Sequence, residues 1–252
     1  MGEALLGGLL AGGWAQPGEL AVVEMVPDRR AELAERFSGV TVSDHPVDQA
    51  DAVLAVKPDD ATSVGNSLKE AGVGRVLSIA AGVTTAALED VLGRGARVIR
   101  AMPNTPALVG AGAAAIAAGR HATDEDLDWA TSVLEAVGTV VVCEEPLLDA
   151  VTGLSGSGPA YVFWLAEALM AAGQVAGLSP EMSDALVRQT ILGSARLLVE
   201  SGEHPAELRA AVTSPGGTTA RGIAELEARD TASAFIAAVV AATQRSRELG
   251  VD

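Results

Sequence analysis

The chain changes character near residue 145, and that change limits the folds open to it. Before it, short apolar runs at 20–26, 52–56, 75–80, 97–101, 112–117 and 138–143 alternate with segments of helical spacing near 2–12, 27–37, 59–71, 84–92 and 123–137. Apolar runs this short, separated by helices, predict parallel strands joined by crossovers, and so a doubly wound α/β sheet. Thr123 and Asp126 are placed to cap the helix at 123–137 from both sides. From Pro146 onward strand-like runs cease, and helical patterns follow one another at about 159–176, 180–200, 205–213, 218–228 and 231–249. Ser179 and Pro180 are an N-cap and a first-turn residue for the second of these. The expectation is a sheet-based domain over 1–145 and an all-helical domain over 146–252.

Composition narrows the function. Of 252 residues, 49% are hydrophobic, and much of that fraction is alanine and glycine, which suits close helix–helix packing, including packing between subunits. The formal charge of −16 argues against nucleic acid or an anionic membrane surface as a partner, since both demand a basic face. The single cysteine, Cys143, permits no intrachain disulfide and suits a reducing compartment. It ends the run TVVVC and is expected to be a small buried hydrophobe. His45, His121 and His204 have no carboxylate or thiol at metal-ligand spacing, so no metal is expected. Residues 4–15, ALLGGLLAGGWA, imitate the apolar core of a signal peptide, but Glu3 precedes them and four glycines interrupt them. No run reaches the roughly 18 apolar residues of a membrane span. The expected location is cytoplasmic.

The chemistry is concentrated in 213–219, TSPGGTT, between two helical patterns. Pro215 stops one helix, and Gly216 and Gly217 open the backbone to close approach. Thr218 and Thr219 present hydroxyls and unpaired amides at a helix start, where a carboxylate is stabilised. A plain helical corner capped by Thr218 would read the same way. Further segments bear on that choice: MGEALLGGLL at the start, AVKP at 55–58, SIAAG at 78–82, RAMPNTPALVGAG at 100–112, DAVTGLSGSGPAY at 149–161, GEHP at 202–205 and AVTSPGGTT at 211–219. In this order they resemble pyrroline-5-carboxylate reductase, the family that makes proline, over nearly the whole chain.

The resemblance implies a Rossmann-type domain followed by a helical dimerisation domain, a homodimer or higher homo-oligomer, and reduction of 1-pyrroline-5-carboxylate to L-proline by hydride from NADPH or NADH. It implies that the amides of Gly217, Thr218 and Thr219, helped by Ser214, hold the substrate carboxylate, with the Thr219 hydroxyl toward the ring nitrogen. A threonine hydroxyl is a weak acid, so Thr219 is expected to orient the iminium or relay from water. Glu145 matches a family position near the substrate; an exposed helix-entry carboxylate is the other reading. For the coenzyme it implies Val56, Lys57 and Pro58, then Ala80, Ala81 and Gly82, then Met102, Pro103 and Asn104, each group following a strand, where open α/β sheets bind ligands. Lys57 reads equally as a solvated loop lysine. Glu24 ends its strand where an acid binds the adenosine ribose 2′-hydroxyl and repels a 2′-phosphate, while Arg29 and Arg30 could clamp that phosphate. Val26 stands where some family members carry a phosphate-binding serine. The balance leans to NADPH, with NADH close behind.

The beginning departs from the pattern. A dinucleotide-binding fold has a strand and a G-x-G turn ahead of its first helix, and Met1 and Gly2 would close such a turn. That strand is central, so without it two neighbours are expected to stand unpaired. Either the chain is shortened or its start is assigned late, or a relative has dispensed with the loop. Two rivals follow: a non-catalytic oligomeric or ligand-binding relative, and a hydroxyacid dehydrogenase or imine reductase. The second usually carries a Lys or Asp on the first helix past the boundary, where SGSGPAYVFWLAEAL offers only Glu167.

Overall fold

A computed structural model describes residues 1–250, which form two compact units, Met1–Ser157 with the chain's end from Ala241, and Gly158–Val240. They part between Ser157 and Gly158, whereas the change of sequence pattern lies near 145. The first unit holds α1 (Gly2–Ala11), β1 (Ala21–Val23), α2 (Pro27–Arg36), β2 (Thr41–Ser43), β3 (Ala52–Leu54), α3 (Ala61–Glu70), β4 (Arg75–Ser78), α4 (Thr85–Leu92), β5 (Arg97–Met102), β6 (Gly112–Ala118), α5 (Asp124–Glu135), β7 (Gly138–Val142) and the short α6 (Leu148–Val151). A π-helical turn, Thr152–Gly156, leads on to α7 (Gly158–Val175), α8 (Pro180–Ser201), α9 (Pro205–Ala211), α10 (Thr218–Ala228) and α11 (Thr231–Leu249).

The expected alternation is present, with helices on both faces of the sheet. Leu77, Ile99 and Ile116 point to one face and pack with Leu5 and Leu9 of α1 and Ala130, Val133 and Leu134 of α5. Their neighbours Val76 and Val98 point to the other face and meet Leu68 of α3 and Leu88 and Leu92 of α4. Alternating directions along a strand bury both sides only where helices cover both. The apolar stretch after Glu3 is therefore core: Leu5, Leu6 and Leu9 are all buried.

Two features differ from an all-parallel reading. β6 runs antiparallel to β5, while β3–β4, β4–β5 and β6–β7 are parallel. The link 103–111 contains only a short 3-10 turn, too little chain for a parallel crossover, which takes a dozen residues or more. The sheet is also in two pieces, β1–β2 and β3–β4–β5–β6–β7. Among the described residues β1 and β3 each keep one unpaired edge, as expected of two strands that lack a shared neighbour.

A buried charge cluster fastens the end of the sheet opposite the strand-exit loops. Asp126 is fully buried, and its carboxylate accepts from the Thr123 amide (2.9 Å) and hydroxyl (2.8 Å), closing the expected capping box on α5. It also takes Arg97 at 3.0 Å and Arg75 at 3.4 Å. Arg75 pairs in addition with Asp51 and lies 4.4 Å from the Trp129 ring centroid. Burial pushes the Asp126 pKa up, but the Thr123 hydrogen bonds and then the two guanidinium charges outweigh it and hold it below the ordinary value.

In the helical unit α7 crosses α8 closely: a Cβ on Gly173 would come within 2.7 Å of the buried Ser183 hydroxyl oxygen. Otherwise this unit buries little. Phe163 (63% exposed), Trp164 (62%), Ile236 (65%) and Val240 (63%) present large apolar side chains outward.

Candidate active site

Because β3, β4 and β5 are parallel, the loops that leave them open along one edge of the sheet. The first carries Val56, Lys57 and Pro58, with Lys57 and Pro58 exposed. The second carries Ala80, which is buried against α3 and α4, and Ala81, which is exposed. Gly82 follows at φ +77°, and a Cβ there would lie 3.3 Å from the Leu249 carbonyl oxygen. The third carries Met102 and Asn104. Asn104 is buried; its amide nitrogen donates to the Ser155 carbonyl (3.0 Å) and its amide oxygen accepts from the Ala113 N–H (2.9 Å). A Cβ on Gly156 would come within 2.7 Å of the Met102 methyl. This edge thus brings together the MPN loop and the SGSG segment, a meeting that spacing alone does not disclose.

The start of α1 fits a diphosphate. Its hydrogen bonding begins with the Leu5 N–H to the Met1 carbonyl (3.0 Å), so the amides of Gly2, Glu3 and Ala4 face out of the first turn. Gly2 packs closely there, its would-be Cβ being 3.0 Å from the Ala55 Cβ at the exit of β3. The helix therefore sits tight against the strand-exit edge with its positive end forward.

The charged residues after β1 are mutually engaged. One Glu24 oxygen accepts from the Val26 N–H at 2.9 Å. Arg30 donates to the Glu24 and Met25 carbonyls (2.8 and 3.0 Å) and lies 3.6 Å from Asp44. Arg29 bonds Glu32 at 2.5 Å and pairs with Glu3, which also pairs with Arg36. The Glu32 hydrogen bond, with Glu3 assisting, raises the Arg29 pKa further.

Glu145 is a helix-capping group here. Its carboxylate accepts from the Thr85 N–H (2.8 Å) and Thr85 hydroxyl (2.6 Å) and from Arg100 (3.2 Å), tying the start of α4 to β5. Thr85 and Arg100 did not stand out in the sequence; a threonine at a helix start was their only signal. Cys143 is half-buried, and burial, then the charge of Glu144, pushes its thiol pKa up, which keeps it protonated. Among the described residues no group of histidine, cysteine and acid side chains is placed to hold a metal.

In the helical unit the SPGGTT corner joins α9 to α10. Gly216 takes φ +73°, and a Cβ on Gly217 would meet the Ser214 hydroxyl oxygen at 2.4 Å. Gly217 caps α10, whose hydrogen bonding begins with the Arg221 N–H to the Gly217 carbonyl (3.2 Å), so the amides of Thr218, Thr219 and Ala220 are left to the open end. Ser214, Thr218 and Thr219 are exposed.

A doubly wound sheet with small-residue loops along one edge and a free helix start defines a nicotinamide-dinucleotide oxidoreductase of the Rossmann type. Comparison with known proteins specifies it. Residues 145–249 match the family model described as pyrroline-5-carboxylate reductase dimerisation, and residues 1–82 match one described as NADP oxidoreductase, coenzyme F420-dependent. A pyrroline-5-carboxylate reductase of Synechocystis is 45% identical over 256 residues, covering 99% of this chain and 95% of the relative. One of Methanosarcina acetivorans is 42% identical over 259 residues, covering 99% and 94%. The solved pyrroline-5-carboxylate reductase of Coxiella burnetii superposes with a TM-score of 0.92 at 37% identity, over 98% of this chain and 94% of that one. The Plasmodium falciparum enzyme, solved with NADP bound, gives 0.82 at 30%, over 99% and 94%. The chain belongs to the pyrroline-5-carboxylate reductase family.

Proposed function

We propose that this chain reduces 1-pyrroline-5-carboxylate to L-proline, the last step of proline biosynthesis, with a nicotinamide coenzyme. The carrying observation is identity of about 40% over the full chain to enzymes named for that reaction, which leaves the non-catalytic alternative without support. The coenzyme supplies the hydride. The first-turn amides of α1, at Gly2, receive the diphosphate behind Met1, and Val56, Lys57, Pro58, Ala81 and the backbone at Ala80 floor the nicotinamide half. Met102 and Asn104 shape the far side; Asn104 does so through its two internal bonds.

For the substrate, the amides of Thr218 and Thr219 bind the carboxylate with the Ser214 hydroxyl; the Gly217 amide, expected to join them, instead donates to the Ser214 carbonyl (3.0 Å) and shapes the corner. The Thr219 hydroxyl orients the ring nitrogen, so that the positive imine carbon is held for attack. Glu145 acts on the substrate side by fixing the start of α4 after the 80–82 loop. Between coenzymes we favour NADPH, because Arg29 and Arg30 open α2 directly after β1. The Glu24 carboxylate, held at the ribose position, favours NADH as a second coenzyme. The outward apolar side chains of the helical unit support a homodimer or higher homo-oligomer built on those helices. No helix among the described residues is long and apolar enough to cross a membrane, and the substrate chemistry suits the cytoplasm.

The test is loss of reduced-nicotinamide absorbance with pyrroline-5-carboxylate as acceptor, with proline identified as product. Loss that does not depend on the substrate, or no proline, would refute the assignment.

A further inference from the structure

We infer that Glu3 is a coenzyme-selectivity residue, acting as an internal competitor for the 2′-phosphate of NADPH. The inference rests on the reading that Arg29 receives that phosphate. Glu3 lies in the first turn of α1, the helix whose open amides fit the diphosphate, and it crosses to α2 to pair with Arg29 and Arg36. Both arginines lie on α2, but Arg29 is in its first turn, beside the strand exit where the adenosine ribose is read, and Arg36 is its last residue. The Arg29 side chain is 35% exposed and that of Glu3 26%, so the pair is only partly screened by water and still reachable by a ligand.

Arg29 is doubly committed. Its two terminal nitrogens go to different carboxylates, one to Glu32 and one to Glu3. An end-on bidentate grip on a phosphate uses both of those nitrogens, the positions that the two carboxylates hold. For that grip NADPH displaces at least one carboxylate, and it leaves a −2 group near Glu24, whose own oxygen is fixed on the Val26 amide. NADH needs neither change. Glu32 is 59% exposed and on the same helix, so it can swing into water. Glu3 is anchored a second time by Arg36 and cannot easily follow. It is thus the carboxylate that sets the penalty.

Glu3 also lies close to the diphosphate position, but both coenzymes carry that group, so its effect there cancels in the ratio of their affinities. The ratio isolates the 2′-phosphate. Binding of NADPH, NADH, 2′,5′-ADP and 5′-AMP would be measured by titration calorimetry on the full chain and on Glu3→Gln, Arg29→Gln and the double variant. Glu3→Gln should raise the NADPH-to-NADH affinity ratio, and the 2′,5′-ADP-to-5′-AMP ratio with it, about two- to fivefold, the scale of one partly exposed charge pair. Arg29→Gln should lower both ratios, and the double variant should match Arg29→Gln alone. General loosening of the α1–α2 seam would lower all four affinities together and move neither ratio upward. If Glu3→Gln folds poorly, Glu3→Asp, too short to reach both arginines, should shift the ratios in the same direction. Unchanged ratios in Glu3→Gln beside lowered ones in Arg29→Gln would overturn the inference and leave the coenzyme reading intact. A ratio that rises equally in the double variant would overturn it too, since Glu3 would then act without Arg29. Ratios indifferent to Arg29→Gln would remove the phosphate reading and the inference with it.

Discussion

Replacing Asp126 with asparagine keeps the shape of the side chain and removes its charge from the cluster that fastens α5 to β4 and β5. Breaking a buried ion pair typically costs 3–5 kcal/mol, because the partner charge is left without compensation. Here the two arginines differ. Arg97 is 40% exposed and can be rehydrated, whereas Arg75 is 14% exposed and keeps Asp51 as its carboxylate partner beside the Trp129 ring. The asparagine NH₂ must also face either the Thr123 donors or the two guanidinium groups, which weakens the contacts on that side by about 1 kcal/mol more. The low end of the range for the pair, with about 1 kcal/mol for the weakened contacts added, gives about 4 kcal/mol, or a fall in Tm of roughly 8–16 °C for a chain of this size. The pH dependence gives a second check. The folded-state pKa of Asp126 lies below the ordinary 3.8, so its stabilisation is complete above that value and is lost as pH falls through the folded pKa. The gap between the native protein and Asp126→Asn should therefore be full at neutral pH and close on acidification below 3.8. Urea unfolding followed by fluorescence reads this directly, since Trp14 and Trp129 both belong to the first unit. A gap under about 1 kcal/mol at neutral pH, or one that persists unchanged in acid, would show that the cluster contributes little net stability.

Three further outcomes follow from the site and the sheet. Thr219→Ala should lower kcat about 10- to 100-fold, the loss of one positioned hydrogen bond, while calorimetric coenzyme affinity stays unchanged; unaltered turnover would take Thr219 out of the mechanism. Gly138→Ala puts a Cβ 2.0 Å from the Gly112 carbonyl oxygen, so β6 and β7 must separate locally, and soluble yield or Tm should fall sharply; a variant as stable as the parent would contradict this. Glu145→Gln leaves Arg100, which is 8% exposed, without its charge partner, and should lower Tm by more than an exposed surface change does; equal Tm values would mean that water replaces the carboxylate.

Much of this architecture is legible in the sequence. Strand and helix positions followed from periodicity because the central strands are buried on both faces and the helices on one, as at Val76–Leu77 and Val98–Ile99. β2 is not visible, since Thr41–Ser43 has one apolar residue between two polar ones, whereas β1 and β3, equally short, lie within apolar runs. The antiparallel step at β5–β6 depends on the length of a link, and apolar spacing carries no strand direction. The end of α11 groups with the sheet unit, where Ser246 donates to Asp149 at 2.7 Å; a serine on a long helix gives no hint of a partner so distant in the chain. The loops of the candidate site could be read because glycine, proline and asparagine carry their backbone demands openly. The ties of Glu3 to Arg29 and of Glu145 to Thr85 and Arg100 could not, because ion pairs across elements have no period.

The divided sheet sets a gradient of amide protection. A strand amide exchanges with solvent deuterium only when its hydrogen bond opens, and the work of opening rises with the number of neighbours that must move. β4 and β5 have a partner on each side and helices above and below, so Val76, Leu77, Val98 and Ile99, at most 1% exposed, should be the slowest amides in the molecule. β1 and β2 share a single three-residue ladder, so their amides should exchange orders of magnitude faster than those of the central strands. β3 should show a split within one strand, with the amides that face β4 slow and those on its open side fast. A bound coenzyme lying across the strand exits would slow the amides of the loops that leave β3, β4 and β5 first, so deuterium uptake there reports occupancy without any turnover.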